Sequence, residues 1–243
     1  MSRTIDLNTD LGEGFPWDQR LLDLVTSTSV SCGSHAGDQA TIESTLAWAV
    51  DRAVLVGAHP GYDDREGFGR RERPCSRAEL RTLVVEQVER LRTWASLCGA
   101  HVSFIKAHGA LYNQAQRDQD LAEGLVDSAL ECDLPLLGQP GTVLERTARE
   151  RGVLFFAEGF PDRRYETDGR LAPRSSPGSS LYEPAEVREN LARLLDQGVK
   201  TLCVHGDDER SVAQAGLLRE WLADRGWTPR HFLSEPSGGS IKG

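Results

Sequence analysis

No stretch of this chain holds the ~20 consecutive apolar residues that a membrane-spanning helix requires. The opening Met1-Ser-Arg-Thr-Ile-Asp6 leads into no apolar region of signal-peptide length. Basic excess is missing too: the net charge of −9 and a pI near 5.2 argue against nucleic acid and anionic membrane surfaces as partners. The five cysteines (32, 75, 98, 132 and 203) are odd in number and widely spaced, with no CxxC pair, which implies reduced thiols in a cytoplasm. A disulfide framework and a structural zinc site are both disfavoured on that ground. There is no GxxxxGK[ST] loop and no GxGxxG after a strand, so a nucleotide must be held another way or by another chain. HExxH is absent, so any metal ligands must be gathered from separate places. No linker or composition break divides the 243 residues, and one domain over 1–243 is expected.

What is present is a repeated unit of strand, polar loop and helix. Strands are predicted at Thr4–Leu7, Ser29–Ser31, Val54–Ala58, Val102–Ile105, Leu134–Leu137, Val153–Ala157 and Thr201–Val204, and Trp227–Leu233 reads as an imperfect eighth strand or a strap. Between them fall helices. Asp38 is a good N-cap before a stripe of Ile42, Leu46, Ala49, Val50 and Ala53, and Ser76-Arg-Ala-Glu79 is a capping box. Pro184 suits a helix's first turn. The alternation implies an α/β protein with a parallel sheet and helices outside it. An open doubly wound sheet is the rival to a closed barrel. Strands one, two, three, four, six and seven all end in ionisable groups, which a barrel would gather at one mouth, and this favours the parallel (β/α) barrel.

The most informative stretch is Lys106-Ala-His-Gly-Ala-Leu-Tyr-Asn113, which follows a short apolar run. Alternate residues of a strand share a face, so Lys106 and His108 leave it in one direction, and Gly109 lets the chain turn away. Asp10, His35, His59, His108 and His205 are acid/base candidates at matching places, with Asp207 two residues beyond His205. His101 and His231 lack that context and read as structural. Ligands from separate strand ends, with Asp10, His35 and His59 as the candidate set, could also hold a divalent metal. Arg65, Arg70, Arg71, Arg163, Arg164 and Arg174 stand in long loops where a carboxylate or phosphate could be bound. The loop from Gly159 to Tyr182 is the longest, and its length and arginines suggest a lid over the mouth.

Several runs together resemble the LamB/YcsF family, the A component of prokaryotic ATP-hydrolysing 5-oxoprolinase. They are Asp6-Leu-Asn-Thr-Asp-Leu-Gly-Glu-Gly14, Cys32-Gly-Ser-His-Ala-Gly-Asp38, Gly57-Ala-His-Pro60, Gly67-Phe-Gly-Arg-Arg71, the Lys106–Asn113 stretch, Asp162-Arg-Arg-Tyr165 with Asp168-Gly169, and Cys203-Val-His-Gly-Asp207. The resemblance implies a barrel of the glycoside hydrolase/deacetylase type, commonly with seven strands. It also implies opening of the lactam of 5-oxo-L-proline to L-glutamate, coupled to hydrolysis of ATP with Mg2+, and partner subunits B and C.

On that reading His59, His108 or His205 serves as base or acid, Asp10 or Asp207 orients one of them, and His35 belongs to the same catalytic set. Lys106 and Arg174 hold anionic groups, and Asn8, Glu13, Arg70, Asn113, Glu158 and Arg163 complete the substrate or phosphate contacts. Ser34 and Ala107 stand where the family usually has Phe and Pro, and the segment between Gly198 and the last His-Gly-Asp is short. These departures bear on substrate and partners. A metal-dependent amide hydrolase or deacetylase that needs no ATP, and a non-catalytic binding subunit, remain alternatives at this point.

Overall fold

The computed structural model describes residues 3–167, 169–172, 174 and 176–233. Seven parallel strands close into a ring: β1 (Arg3–Leu11), β2 (Ser27–Ser31), β3 (Leu55–His59), β4 (Val102–Ile105), β5 (Leu136–Gly138), β6 (Phe155–Gly159) and β7 (Thr201–Val204). β1 completes the ring, pairing with β2 through residues 8–11 and with β7 through residues 6–9. A short eighth strand, β8 (Trp227–Pro229), pairs only with the first residues of β1 and so lies outside the ring. The expected seven-stranded barrel is therefore what the chain forms.

The outer layer is helical. α1 (Asp18–Leu22), α2 (Gln39–Asp51), α3 (Arg77–Leu97), α4 (Gly109–Ala115), α5 (Gln119–Cys132), α6 (Val143–Glu150), α7 (Pro184–Asp196) and α8 (Ser211–Asp224) fill the crossovers. Local chemistry sets several starts. The Asp38 carboxylate accepts from Thr41 N–H, Ser76 and Glu79 close the capping box, and Pro184 stands in the first turn of α7. Leu7 and Leu11 face outward from β1 and join Ile42, Leu46, Leu80, Val84, Val88 and Leu91 in the buried layer between strands and helices. The predicted stripe on α2 runs too far: Val50 is 42% exposed, and Ala53 lies past the helix at φ 52°.

Two elements differ from expectation in ways that matter for the site. β1 does not stop at Leu7 but continues through Leu11, because Asp6, Asn8 and Asp10 alternate onto the inside of the barrel, where polar partners await them. The second is α4, a seven-residue helix with no side-chain cap and no signal in the sequence, which starts at Gly109 with φ 52°. A Cβ at Gly109 would lie 2.6 Å from the Gly69 carbonyl oxygen, so glycine is required there. β4 ends at Ile105, yet Lys106 N–H still bonds Ala58 O and His108 N–H bonds Pro60 O. The chain thus keeps its strand-like path beside β3 for one more repeat and delivers Lys106 and His108 to the same side.

The barrel interior is layered. At the floor, Phe104 and Phe156 meet Phe232 of the C-terminal segment, at ring-centroid distances of 5.3 and 4.4 Å. Gly57 makes room for this plug, since a Cβ there would lie 2.2 Å from the Phe104 ring. Beside β1's start, the buried Asp6 carboxylate accepts from the hydroxyls of Thr26, Ser27 and Thr201. Burial pushes its pKa up from 3.8 to about 6, the three hydroxyls only partly offsetting that cost. A carboxyl raised in the folded state gives stability that is fully present below its unfolded value and is lost as pH rises through about 6. Asp6→Asn is therefore expected to gain on the wild type as pH rises from 4 to 7, by up to about 3 kcal/mol. Melting temperatures of both proteins across that range test this, and a pH-independent difference would contradict it.

Candidate functional site

Above the floor, Lys106 occupies the barrel axis. Its ammonium is 2.8 Å from Glu158 Oε1 and 3.0 Å from Asp10 Oδ1, and it donates to Asn8 Oδ1 at 3.2 Å and Cys203 Sγ at 3.1 Å. Asn8 Nδ2 donates to Glu158 Oε1, and Tyr112 O–H donates to Glu158 Oε2. Burial would favour a neutral lysine, but Asp10 and its fellow acceptors hold the ammonium charged well above its ordinary range. Lys106 is thus already surrounded by acceptors, unlike the free cation inferred from its motif. Asn8 and Glu158 lie beneath the cavity as its supports.

At the mouth three imidazoles meet. His35 and His108 stack at 3.7 Å with planes 3° apart, and His59 stands edge-on to His108 with His108 Nδ1 2.9 Å from His59 Nε2. Glu13 Oε1 lies 3.1 Å from His35 Nε2 and 3.4 Å from His108 Nδ1, and Asp10 Oδ2 lies 3.5 Å from His59 Nε2. The cluster is nearly dry, and burial lowers the histidines: His35 to about 3, His108 to about 4, and His59 well below its ordinary value. Burial also lifts the Glu13 carboxyl to about 7, against the pull of His108. At Asp10 burial pushes upward, but His59 and Lys106 outweigh it and keep the carboxylate ionised far below the usual range.

The loop carrying Gly67-Phe-Gly-Arg-Arg71 clamps this cluster. Phe68 adopts φ 54°, a conformation unfavourable for a bulky residue, and its carbonyl accepts from His108 Nε2 at 2.8 Å. A Cβ on Gly69 would come 2.8 Å from His108 Cδ2, and one on Gly67 would come 2.1 Å from Asp64 Oδ2. That explains both glycines of the motif as close-approach positions.

Across the mouth, Asp162 Oδ2 lies 2.7 Å from His205 Nδ1, and Phe160 stacks on the His205 ring. Burial lowers His205 despite Asp162. Asp207 receives Arg70 at 2.5 Å and Arg174 at 2.8 Å, and burial notwithstanding, these arginines and His205 hold it at about 2. A cavity of about 440 Å³ joins the two sides, lined among others by Asp10, Glu13, His59, Lys106, His108, Asn113, Arg70, Arg163, Arg174, His205 and Asp207. Asn113 reaches it from the exposed rim of α4. His35 sits behind His108 and does not line it.

Three of the loop arginines serve elsewhere. Arg65 donates to Gly33 O and Gly37 O, Arg71 pairs with Asp64 and Glu66 in solvent, and Arg164 pairs with Glu186. Arg163 lines the cavity but directs its donors to Ser179 O and Ala172 O of its own loop. The base of that loop is tied down by Asn190 Nδ2, which donates to three carbonyls, Phe160 O, Pro161 O and Arg163 O. Asp168 of its motif lies outside the described residues.

The sequence profile of the LamB/YcsF family matches residues 5–236. This chain belongs to the LamB/YcsF family. A relative from Methylococcus capsulatus, the A component of a 5-oxoprolinase, is 42% identical over 93% of this chain and 95% of its own. The crystal structure of a lactam utilization protein from Thermus thermophilus superposes with a TM-score of 0.86 at 35% identity, covering 93% of this chain and 99% of that one. The catalytic domain of a peptidoglycan N-acetylglucosamine deacetylase from Eubacterium rectale shares the fold, with a TM-score of 0.57 at 17% identity, covering 99% of this chain and 92% of that one.

Within the family's motifs, sequence reasoning leaves Asp162, Tyr112 and Phe68 without roles. Asp162 stands in one of those motifs, but nothing local ties it to His205, which is more than forty residues away. Of the two departures, Ala107 lines the cavity, whereas Ser34 lies off it and accepts from Arg90.

Proposed function

We propose that this chain is the A component of an ATP-dependent 5-oxoprolinase that opens the lactam of 5-oxo-L-proline to L-glutamate. One observation carries the reading: a single cavity in a LamB/YcsF barrel places an ionised and imidazole-rich wall opposite an arginine-lined one. An unstrained lactam is a stable amide, so its carbonyl must be activated. Transfer of the γ-phosphoryl group of ATP to the lactam oxygen would do this. Water then adds to the carbonyl carbon, the carbon–nitrogen bond breaks as the nitrogen takes a proton, and a second water releases phosphate.

The wall of Glu13, His59 and His108 is suited to hold the attacking water against the carbonyl carbon, while His205, oriented by Asp162, is suited to protonate the leaving nitrogen. Arg70 and Arg174 would face carboxylate or phosphate oxygens. ATP and Mg2+ would be bound together with partner subunits B and C, since the sequence has no phosphate loop of its own. The cytoplasm is the compartment this implies. The five cysteines are free, and no helix among the described residues is long and apolar enough to cross a membrane.

The experiment is reconstitution with B- and C-type subunits and a coupled measurement of ADP and glutamate. Glutamate formed in step with ADP, and only when this chain is present, is the expected result. Glutamate released by this chain alone without ATP would replace the proposal with a metal-dependent hydrolase.

A further inference from the structure

The ring protons of His59 and His108 are too few for the contacts their nitrogens make. His59 Nδ1 lies 2.8 Å from Lys106 O, and His108 Nε2 lies 2.8 Å from Phe68 O. Carbonyl oxygens only accept, so each of these nitrogens carries the ring's hydrogen. A neutral imidazole has only one. His59 Nε2 and His108 Nδ1 are therefore both lone-pair donors, and they face each other at 2.9 Å. Glu13 Oε1 adds a third donor, 3.4 Å from His108 Nδ1 and 3.9 Å from His59 Nε2. Converging lone pairs repel unless something positive lies between them.

We propose that His59 Nε2, His108 Nδ1 and Glu13 Oε1 bind one divalent transition-metal ion of the zinc class. Two imidazole nitrogens bound to one ion at ~2.0–2.1 Å stand roughly 3–3.4 Å apart, close to the separation here. A histidine ligand fixes its tautomer by giving its other N–H to a carbonyl or carboxylate, and both His59 and His108 do so. The strained carbonyl of Phe68 has a reason to be where it is: it selects the His108 tautomer. His35 is a positioning residue. Its Nε2, 3.1 Å from Glu13, can donate to that carboxylate, and its ring backs His108. Nitrogen-rich donors favour zinc, cobalt or nickel over magnesium, which prefers oxygen. Three protein ligands leave a position open to the cavity that Glu13, His59 and His108 line. This ligand set differs from the Asp10, His35 and His59 set suggested by the motifs. Asp10 Oδ1 is instead paired with Lys106, and Asp10 Oδ2 lies 3.5 Å from His59 Nε2.

The test uses the full chain, stripped with a chelator, and reads metal directly. Co2+ is titrated while visible absorption is followed, Zn2+ is then added in competition, and bound metal is counted by elemental analysis. One equivalent of Co2+, displaced by Zn2+ and indifferent to millimolar Mg2+, is expected. Glu13→Gln and His59→Gln should each weaken binding at least ~100-fold, and His35→Asn by ~10-fold through loss of orientation. His101→Asn, at an exposed position outside the cluster, should change nothing. Melting curves without metal check folding, and if His59→Gln fails to fold, Glu13→Gln decides. Substoichiometric binding, or equal affinity in Glu13→Gln and the wild type, would overturn the proposal and leave a shared proton between the two rings. No turnover is measured, so this result is independent of the lactam reading.

Discussion

Lys106→Met is expected to cost about 3–5 kcal/mol of stability, because it leaves Glu158 and Asp10 as buried acids without their counter-charge. At ~2–4 °C per kcal/mol for a chain of this size, the melting temperature should fall by roughly 6–20 °C. The sequence alone suggests otherwise: with the apolar run ending at Ile105, Lys106 reads as a ligand-facing cation that the core does not need. The structure places it at 2% exposure in the middle of the barrel. Adding Glu158→Gln should recover part of the loss, since the second change removes the acid that Lys106 neutralised. A melting temperature within about 2 °C of wild type for Lys106→Met would show that the buried acids hold their own protons and need no cation.

For His108→Ala the expected effect falls on turnover, with the fold retained. In the reconstituted complex the rate should drop by ~10²–10⁴, the usual consequence of losing a positioned acid/base or ligand group. His108 has three side-chain neighbours that depend on it, His59, His35 and Glu13, and all belong to the mouth rather than to the barrel's packing. Melting measured alongside should move little. Near-normal turnover would remove this cluster from the mechanism, and a large fall in melting temperature would make His108 a part of the framework instead.

The difference between these two residues, only two positions apart, marks the boundary of what the sequence discloses. Signals that depend on neighbours in the chain are legible: the Ser76–Glu79 box, the Asp38 cap, Pro184 at a helix start, and the strands Val102–Ile105 and Thr201–Val204. So is the convergence of His59, His108, His205 and Asp207 on one cavity, because equivalent strand ends meet at one rim in a barrel. What stays hidden depends on partners far along the chain. Asp6, Asn8 and Asp10 look like the end of a strand because a polar barrel interior cannot be inferred from one strand, although their period of two is the available clue. Glu13 looks like a substrate contact. Its place between His35 and His108 is created by the Phe68 loop and by α4, a helix with no propensity signal of its own.

The way the ring closes also sets an order of assembly. β1 leaves the ribosome first, yet one of its two edges within the ring must wait for β7, about two hundred residues later. Thr201 reaches Asp6 and Asn8 only once that late strand has been made, and Lys106 reaches Glu158 only once β6 has. Most of the chain must therefore be synthesised before the axis charges can be neutralised, and contacts of such long sequence separation are slow to form. Until then the row Asp6, Asn8 and Asp10 gives β1 one polar face, while Ile5, Leu7 and Leu11 make up its apolar residues. The polar row that supports the mouth in the finished barrel is thus among the last parts of the interior to find its partners.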